Sequence, residues 1–220
     1  MRPTSRIPDR GVPKAATSRP ARRVAAATDK GFEVAVRNAK AAVEGGSVAG
    51  GGIIKANASK ELLKFAEATG VPVVTTLMAL GVFPQSHPLY MGMPGMHGTV
   101  PAVAAMQRAD LLIAIGTRFD DRVTGDTSTF APEAQVIHAD IDPAEIGKIR
   151  EVDVPIVGDA QKVLAGLLKE YRKNSSLDLP QTGPWRDYLD GLKERFPRGY
   201  DPTPDGQLNP QFVLEKLSET

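Results

Sequence analysis

The sequence predicts an α/β chain built on a doubly wound, mostly parallel sheet. Three observations carry this reading. Short runs such as Leu111-Leu112-Ile113-Ala114-Ile115 and Val154-Pro155-Ile156-Val157 are apolar throughout rather than alternating, as strands buried on both faces are. Segments with helical spacing separate these runs, the pattern of β-α-β crossovers. Each run then gives way to glycine or charge, at Gly116, Asp140 and Gly158.

Taken in order, residues 1–30 are dominated by Pro, Arg, Ala and Ser with little periodicity, the composition of a disordered segment. Residues 32–44 have helical spacing, and Gly45-Gly46 is expected to stop that helix. A weak apolar run at 47–49 leads into Gly50-Gly51-Gly52. A helix over 59–69 closes on Gly70 as its C-terminal cap, and a β-branched strand over 71–76 follows. Beyond a long loop, 99–109 reads as a helix with Pro101 in its first turn. Strands are expected at 111–115, 136–139 and 154–157, with a short helix over 143–150 between the last two. Asp159 then caps a helix running to about residue 173. Residues 174–208 read as a linker holding one helix near 185–196, and Asn209-Pro210 opens a new amphipathic helix. The partition is a leader (1–44), an α/β domain (45–173), a linker (174–208) and the start of a further unit (209–220).

Composition narrows the function classes. Of 220 residues, 41% are hydrophobic, enough for a real core. No apolar run approaches the ~18 residues of a membrane span, so no membrane partner is expected. The absence of cysteine rules out disulfides, thiolate metal sites and cysteine nucleophiles, and fits a reducing cytoplasm. The net charge of +1 conceals an asymmetry. Residues 1–44 carry ten Lys/Arg against four Asp/Glu, while the rest carries seventeen against twenty-two. Such a basic start suits a nucleic-acid arm, a targeting peptide or a disordered leader. Asp9 and the many prolines count against a transit peptide, and the leader reading is preferred, with no nucleic-acid partner.

In open α/β sheets, ligands bind beyond the carboxyl ends of the strands. Those ends read Gly50-Gly51-Gly52, Thr75-Thr76-Leu77-Met78, Gly116-Thr117-Arg118-Phe119-Asp120-Asp121-Arg122, Asp140-Ile141-Asp142-Pro143 and Gly158-Asp159. Glycines, hydroxyls, guanidiniums and carboxylates recur there, an inventory suited to a long, polar, phosphate-bearing ligand. The glycine triplet lets backbone amides approach a ligand, or is simply a tight turn. It is not a dinucleotide fingerprint, which would need glycine at Lys55. Arg118 and Arg122 suit diphosphate oxygens, or pair internally with Asp120 and Asp121. Asp140 could hold ribose hydroxyls or cap a helix, and Asp159 reads first as an N-cap. The loop 92–98 can present methionine and backbone to a flat ring, whereas His97 alone reads as a capping or core histidine. His87, His97 and His138 have no metal-ligand spacing, so no metal is expected here, and His138 reads as structural. No nucleophile–base constellation, G-x-S-x-G elbow or phosphate-binding P-loop is present, and no catalytic residue is assigned.

Five runs go further: TTLMALG, GMPGMHGT, GTRFDDRVTG, FAPEA and HADIDPAEIGK. With them, residues 50–172 resemble the central domain of acetolactate synthase (acetohydroxyacid synthase) large subunits, a Rossmann-like domain of thiamine-diphosphate enzymes. WRDYLDGLKERFP and LNPQFVLEKL resemble the link toward that family's C-terminal domain. The resemblance implies FAD bound across the domain. The contacts it carries over are Gly50, Gly51, Gly52, Thr76, Leu77 and Met78, then Gly95, Met96 and His97. Gly116, Thr117, Arg118, Asp120, Arg122 and Val123 follow, and Asp140, Ile141, Glu145, Asp159 and Ala160 complete the set. It implies a flavin without net redox in the reaction, and it places Met96, Asp120 and Arg122 toward the substrate channel.

The resemblance also implies what a full-length member does. It condenses pyruvate with a second 2-oxo acid in branched-chain amino acid synthesis, using thiamine diphosphate and Mg2+. It works as a homodimer or tetramer of large subunits with a regulatory small subunit. The family's glutamate-bearing N-terminal domain and its GDG…N magnesium motif have no counterpart in this sequence, so these residues alone are expected to be inactive. Residues 209–220 would begin the thiamine-diphosphate-binding domain. EGGSVAGGG stands where the family has an apolar strand of the type RPVLYVGGG, so a shortened first strand and weakened FAD binding are expected. The alternatives are a stand-alone flavin or nucleotide module, or a relative such as pyruvate oxidase or glyoxylate carboligase. RFDDRVTG and GMPGMHG count against the last two.

Overall fold

The computed structural model describes residues 25–26, 28–173, 182–201, 203 and 207–219. Its strands are β1 (Ala25–Ala26), β2 (Gly45–Ala49), β3 (Val73–Thr75), β4 (Tyr90–Gly92), β5 (Leu111–Ile115), β6 (Gln135–Asp140) and β7 (Val154–Val157). They form one sheet in the order β1-β7-β6-β5-β2-β3-β4, with every neighbouring pair parallel. All carboxyl ends therefore share one edge. From β2 the chain winds outward to β3 and β4, and from β5 it winds the opposite way to β6 and β7. The switch point of this doubly wound α/β fold lies between β2 and β5.

The helices are α1 (Asp29–Ala41), α2 (Gly52–Lys55), α3 (Ser59–Thr69), α4 (Val100–Gln107), α5 (Asp121–Thr124), α6 (Ala160–Lys173), α7 (Gly183–Arg195) and α8 (Pro210–Ser218). A 3-10 turn covers Leu77–Ala79. One layer, with α1, α3 and α6, buries Phe32, Val36, Leu62, Phe65, Leu164 and Leu167 against Ile113 and Ile137 of the sheet. The opposite layer, with α4 and α7, buries Met106, Trp185 and Leu189 against Val48, Val74, Leu112 and Val136.

Four expectations change. The helix expected over 32–44 is α1, which starts earlier because the Thr28 side chain accepts a hydrogen bond from the Gly31 N–H (3.3 Å). α1 also belongs to the packed body. Its Phe32 ring lies so close to Gly166 of α6 that a Cβ there would sit 2.5 Å from a ring carbon. Residues 29–41 are therefore not part of a disordered leader, while 1–24 lie outside the described residues.

The second change is the first strand of the α/β domain. Gly45-Gly46 does not merely stop a helix but opens β2, which is buried throughout and paired on both sides. Its lack of bulk has a packing reason: a Cβ on Gly46 would lie 2.7 Å from the Ala105 carbonyl oxygen of α4. The third change is the absence of a helix over 143–150. Asp142 Oδ1 accepts from the Ala144 N–H (2.9 Å), but only i→i+3 turns follow, and Gly147 turns left-handed at φ +74°. The fourth is α7, which is docked rather than suspended in a linker. The Trp185 indole N–H donates to the Gly45 carbonyl at 3.0 Å, and both Trp185 and Leu189 are buried. The long loop after β3 also holds β4, a three-residue edge strand too short to register as a pattern.

Candidate cofactor-binding cleft

The switch point is built by glycine apposition. The Gly50 N–H donates to the Ile115 carbonyl (2.9 Å), and the Gly52 N–H donates to the Gly116 carbonyl (3.2 Å). A Cβ on Gly50 would lie 2.0 Å from Gly116 O, and one on Gly52 2.7 Å from Gly116 Cα. No side chain fits between these backbones. Gly51 differs, since its Cβ would meet only Met78 Cβ at 3.4 Å. The tight-turn reading of the triplet thus holds at two of its three positions. Gly50 and Gly52 serve the turn, and Gly51 leaves backbone open beside Met78.

After β5, the chain passes Gly116 (φ +61°) and Phe119 (φ +54°), two left-handed residues in four. Phe119 is buried, edge-on to Phe130 and His138. Arg118 and Arg122 project outward with side chains 70% and 76% exposed. Internal pairing does not lock them. Arg118 reaches Asp120 Oδ2 at 3.4 Å, and Arg122 reaches Asp121 Oδ1 only at 4.0 Å, contacts worth little in solvent. Asp120 Oδ1 is buried without a hydrogen-bond partner, and Val123 packs partly against the core.

The other predicted positions share this edge. Thr76 continues β3, its N–H bonded to the Ala49 carbonyl (3.0 Å), and exposed Leu77 and Met78 follow it. In the loop after β4, Gly95 lies against α5, where its Cβ would be 1.9 Å from the Arg122 carbonyl oxygen. Met96 beside it is 75% exposed, and His97 is exposed too, which removes the core half of the capping-or-core alternative. Thr117 is buried. Asp140 Oδ1 accepts from the Asp142 N–H (2.9 Å), leaving Ile141 exposed. Glu145 binds Lys148 (2.9 Å). Asp159 Oδ1 accepts from the N–H groups of Gln161 (3.1 Å) and Lys162 (3.2 Å), the capping role expected of it, and Ala160 is buried at the start of α6.

Exposed apolar side chains and unlocked guanidiniums thus lie on the same strand-end edge as an open stretch of backbone. A groove of about 580 Å³ between α3 and α6, lined by Glu61, Lys64, Leu168 and Arg172 among others, contains none of these residues. Among the described residues, no three or more His, Asp or Glu side chains gather as a metal site, and no helix is long and apolar enough to cross a membrane. Sequence reasoning missed Arg150, expected at the end of a surface helix. Its guanidinium instead donates to the Ala131 (3.1 Å) and Ala134 (3.4 Å) carbonyls and fastens the loop before β6.

The central-domain model of the thiamine pyrophosphate enzymes matches residues 37–167. The chain belongs to this family. The matched span starts inside α1 and takes in every strand from β2 to β7, and every predicted site residue falls within it. This thiamine pyrophosphate enzyme domain is 69% identical over 170 residues to the acetolactate synthase large subunit of Corynebacterium glutamicum, covering 77% of the chain and 27% of that protein. It is 53% identical over 172 residues to a probable acetolactate synthase large subunit of Methanocaldococcus jannaschii, covering 78% and 28%. Acetolactate synthase 1, chloroplastic, of Zea mays is 46% identical over 170 residues, covering 77% and 26%. The chain spans just over a quarter of the length of these curated relatives.

Proposed function

We propose that the chain is the FAD-binding central domain of an acetolactate synthase large subunit. One observation carries this reading: at the sheet's switch point, the open backbone of Gly51 lies on the same strand-end edge as the unlocked guanidiniums of Arg118 and Arg122. A guanidinium fork suits a diphosphate. Exposed Leu77, Met78, Met96 and Ile141 suit the flat faces of isoalloxazine and adenine, and the strand-end carboxylate Asp140 suits ribose hydroxyls. Asp120 supplies a buried, unpaired acceptor beside Arg118. In this role the flavin is a structural ligand with no net redox turnover.

The full-length protein in this reading condenses pyruvate with a second 2-oxo acid, in the cytoplasm, as an oligomer of large subunits with a regulatory small subunit. Thiamine diphosphate and Mg2+ are held by segments outside these 220 residues. The chain alone is therefore a binding scaffold without turnover. Titration with FAD should quench flavin fluorescence with modest affinity, and pyruvate, thiamine diphosphate, Mg2+ and FAD together should yield no acetolactate above a no-protein control. NAD-selective binding with no flavin effect would sink the assignment.

A further inference from the structure

We propose that His138 is a positioning residue. From beneath the cleft it fixes the main chain that aims Arg118 and Asp120, by donating its Nε2 proton to the Thr117 carbonyl. The proposal rests on the cofactor reading for what the turn binds, but not for the geometry. His138 lies on β6 with 1% exposure, and its Nε2 is 2.9 Å from Thr117 O. A carbonyl only accepts, so Nε2 must carry the hydrogen. Burial lowers the ring's proton affinity, so the neutral form persists at pH 7 and Nδ1 becomes a lone pair. That Nδ1 is itself buried with no hydrogen-bond partner.

An imidazole with one unsatisfied nitrogen is a poor choice for filling space. Leucine or valine would pack there without that desolvation cost. What the ring supplies and an apolar residue cannot is the bond to Thr117. The neighbouring geometry shows why it is needed. The turn leaves β5 through Gly116 and carries Phe119, a bulky residue, at φ +54°. Such a backbone persists only where its surroundings over-determine it. His138 holds both flanks of the strain, with Thr117 O on its Nε2 and the Phe119 ring edge-on at 5.1 Å. Across β5, its register partner is Ala114, the smallest side chain in a run of Leu and Ile. The turn is thus fastened from its buried side while the Arg118 side chain stays largely in solvent.

The test compares His138→Leu with His138→Gln in the full chain. Glutamine can place an amide N–H near the Nε2 position and restore the donor, whereas leucine only fills space. Trypsin cleavage after Arg118 and Arg122, relative to cleavage after the equally exposed Arg37 of α1, reports local release of the turn. His138→Leu should raise that ratio about tenfold and weaken FAD binding about tenfold, the scale of one lost buried hydrogen bond. His138→Gln should recover most of both. An unchanged ratio in His138→Leu, or a glutamine variant no better than leucine, overturns the proposal. If His138→Leu unfolds, cleavage rises at all three arginines, and the glutamine variant decides through amide exchange at 117–121, which must stay near wild type. If the parent chain does not bind FAD, the cofactor reading falls, while the trypsin ratio still decides the role of His138.

Discussion

The interior of the sheet and its carboxyl edge are neighbours in sequence and opposites in physics. β5 buries all five of its side chains, and within three residues of its end Arg118 is largely in solvent. Inside, Leu112, Ala114, Val136 and Ile137 are packed almost completely out of solvent. At the edge, Leu77, Met78, Met96 and Ile141 remain exposed and Asp120 Oδ1 has no partner. If the edge binds the cofactor as proposed, the contrast separates residues that should respond in stability from those that should respond in binding.

The sharpest way to break the comparison is to truncate one side chain from each region. Leu112→Ala, at a fully buried position on β5, should cost about 2–5 kcal/mol in denaturant unfolding. Met96→Ala should stay within about 0.5 kcal/mol of the parent. Comparable losses would mean that Met96 packs in solution and that the edge is not open.

The next effect concerns binding. Arg118→Ala should weaken FAD binding by roughly 1.5–3 kcal/mol, the loss of a charge-assisted hydrogen bond, with an unchanged unfolding midpoint. Arg37→Ala, which removes an exposed guanidinium paired with Glu33 on α1, should leave both alone. Arg150→Ala should do the reverse of Arg118→Ala and lower the midpoint, because it strips the Ala131 and Ala134 carbonyls of a donor. Equal affinities for the Arg118 and Arg37 variants would remove Arg118 from the phosphate role.

What the sequence revealed divides along the same line. β5, β7 and α6 were legible because continuous apolar runs and a capping aspartate are local signals. The gathering of the strand ends on one edge was legible because a parallel topology alone puts them together. β2 was misjudged because its small residues reflect the approach of α4, a tertiary fact invisible in EGGSVAGGG. The turn over 143–150 was misjudged because a left-handed glycine outweighed helical composition. Arg150 and Trp185 escaped notice because their partners, Ala131 and Gly45, lie far away in sequence.

Within the glycine triplet the two regions meet, which offers a finer test. Gly50→Ala should destabilise by about 1–3 kcal/mol, because its Cβ would collide with the Gly116 carbonyl and the backbone must move. Gly51→Ala should leave the midpoint nearly unchanged and register in FAD affinity alone. If the Gly51 variant were the less stable of the two, the assignment of turn and ligand roles would be reversed.

The smallest expected effect is a pH dependence, and it isolates His138 from the rest of the edge. Burial is the main influence on the ring and lowers its pKa below the ordinary value of 6.5. The hydrogen bond to Thr117 and the carboxylates of Asp140 and Glu145 oppose that shift without cancelling it. The unfolded chain therefore takes up the proton first as pH falls. Stability from this group is fully present above about pH 6.5 and declines as pH drops through the unfolded value toward the lower folded one. For a single group the slope cannot exceed about 1.4 kcal/mol per pH unit. Unfolding midpoints of the parent and of His138→Gln, measured from pH 7.5 to 5, should diverge on acidification, with the parent falling faster. Carboxylates elsewhere titrate equally in both proteins and drop out of the difference. Parallel curves would mean that the ring is not held neutral by burial, and a parent that gained stability on acidification would mean that Asp140 and Glu145 outweigh it.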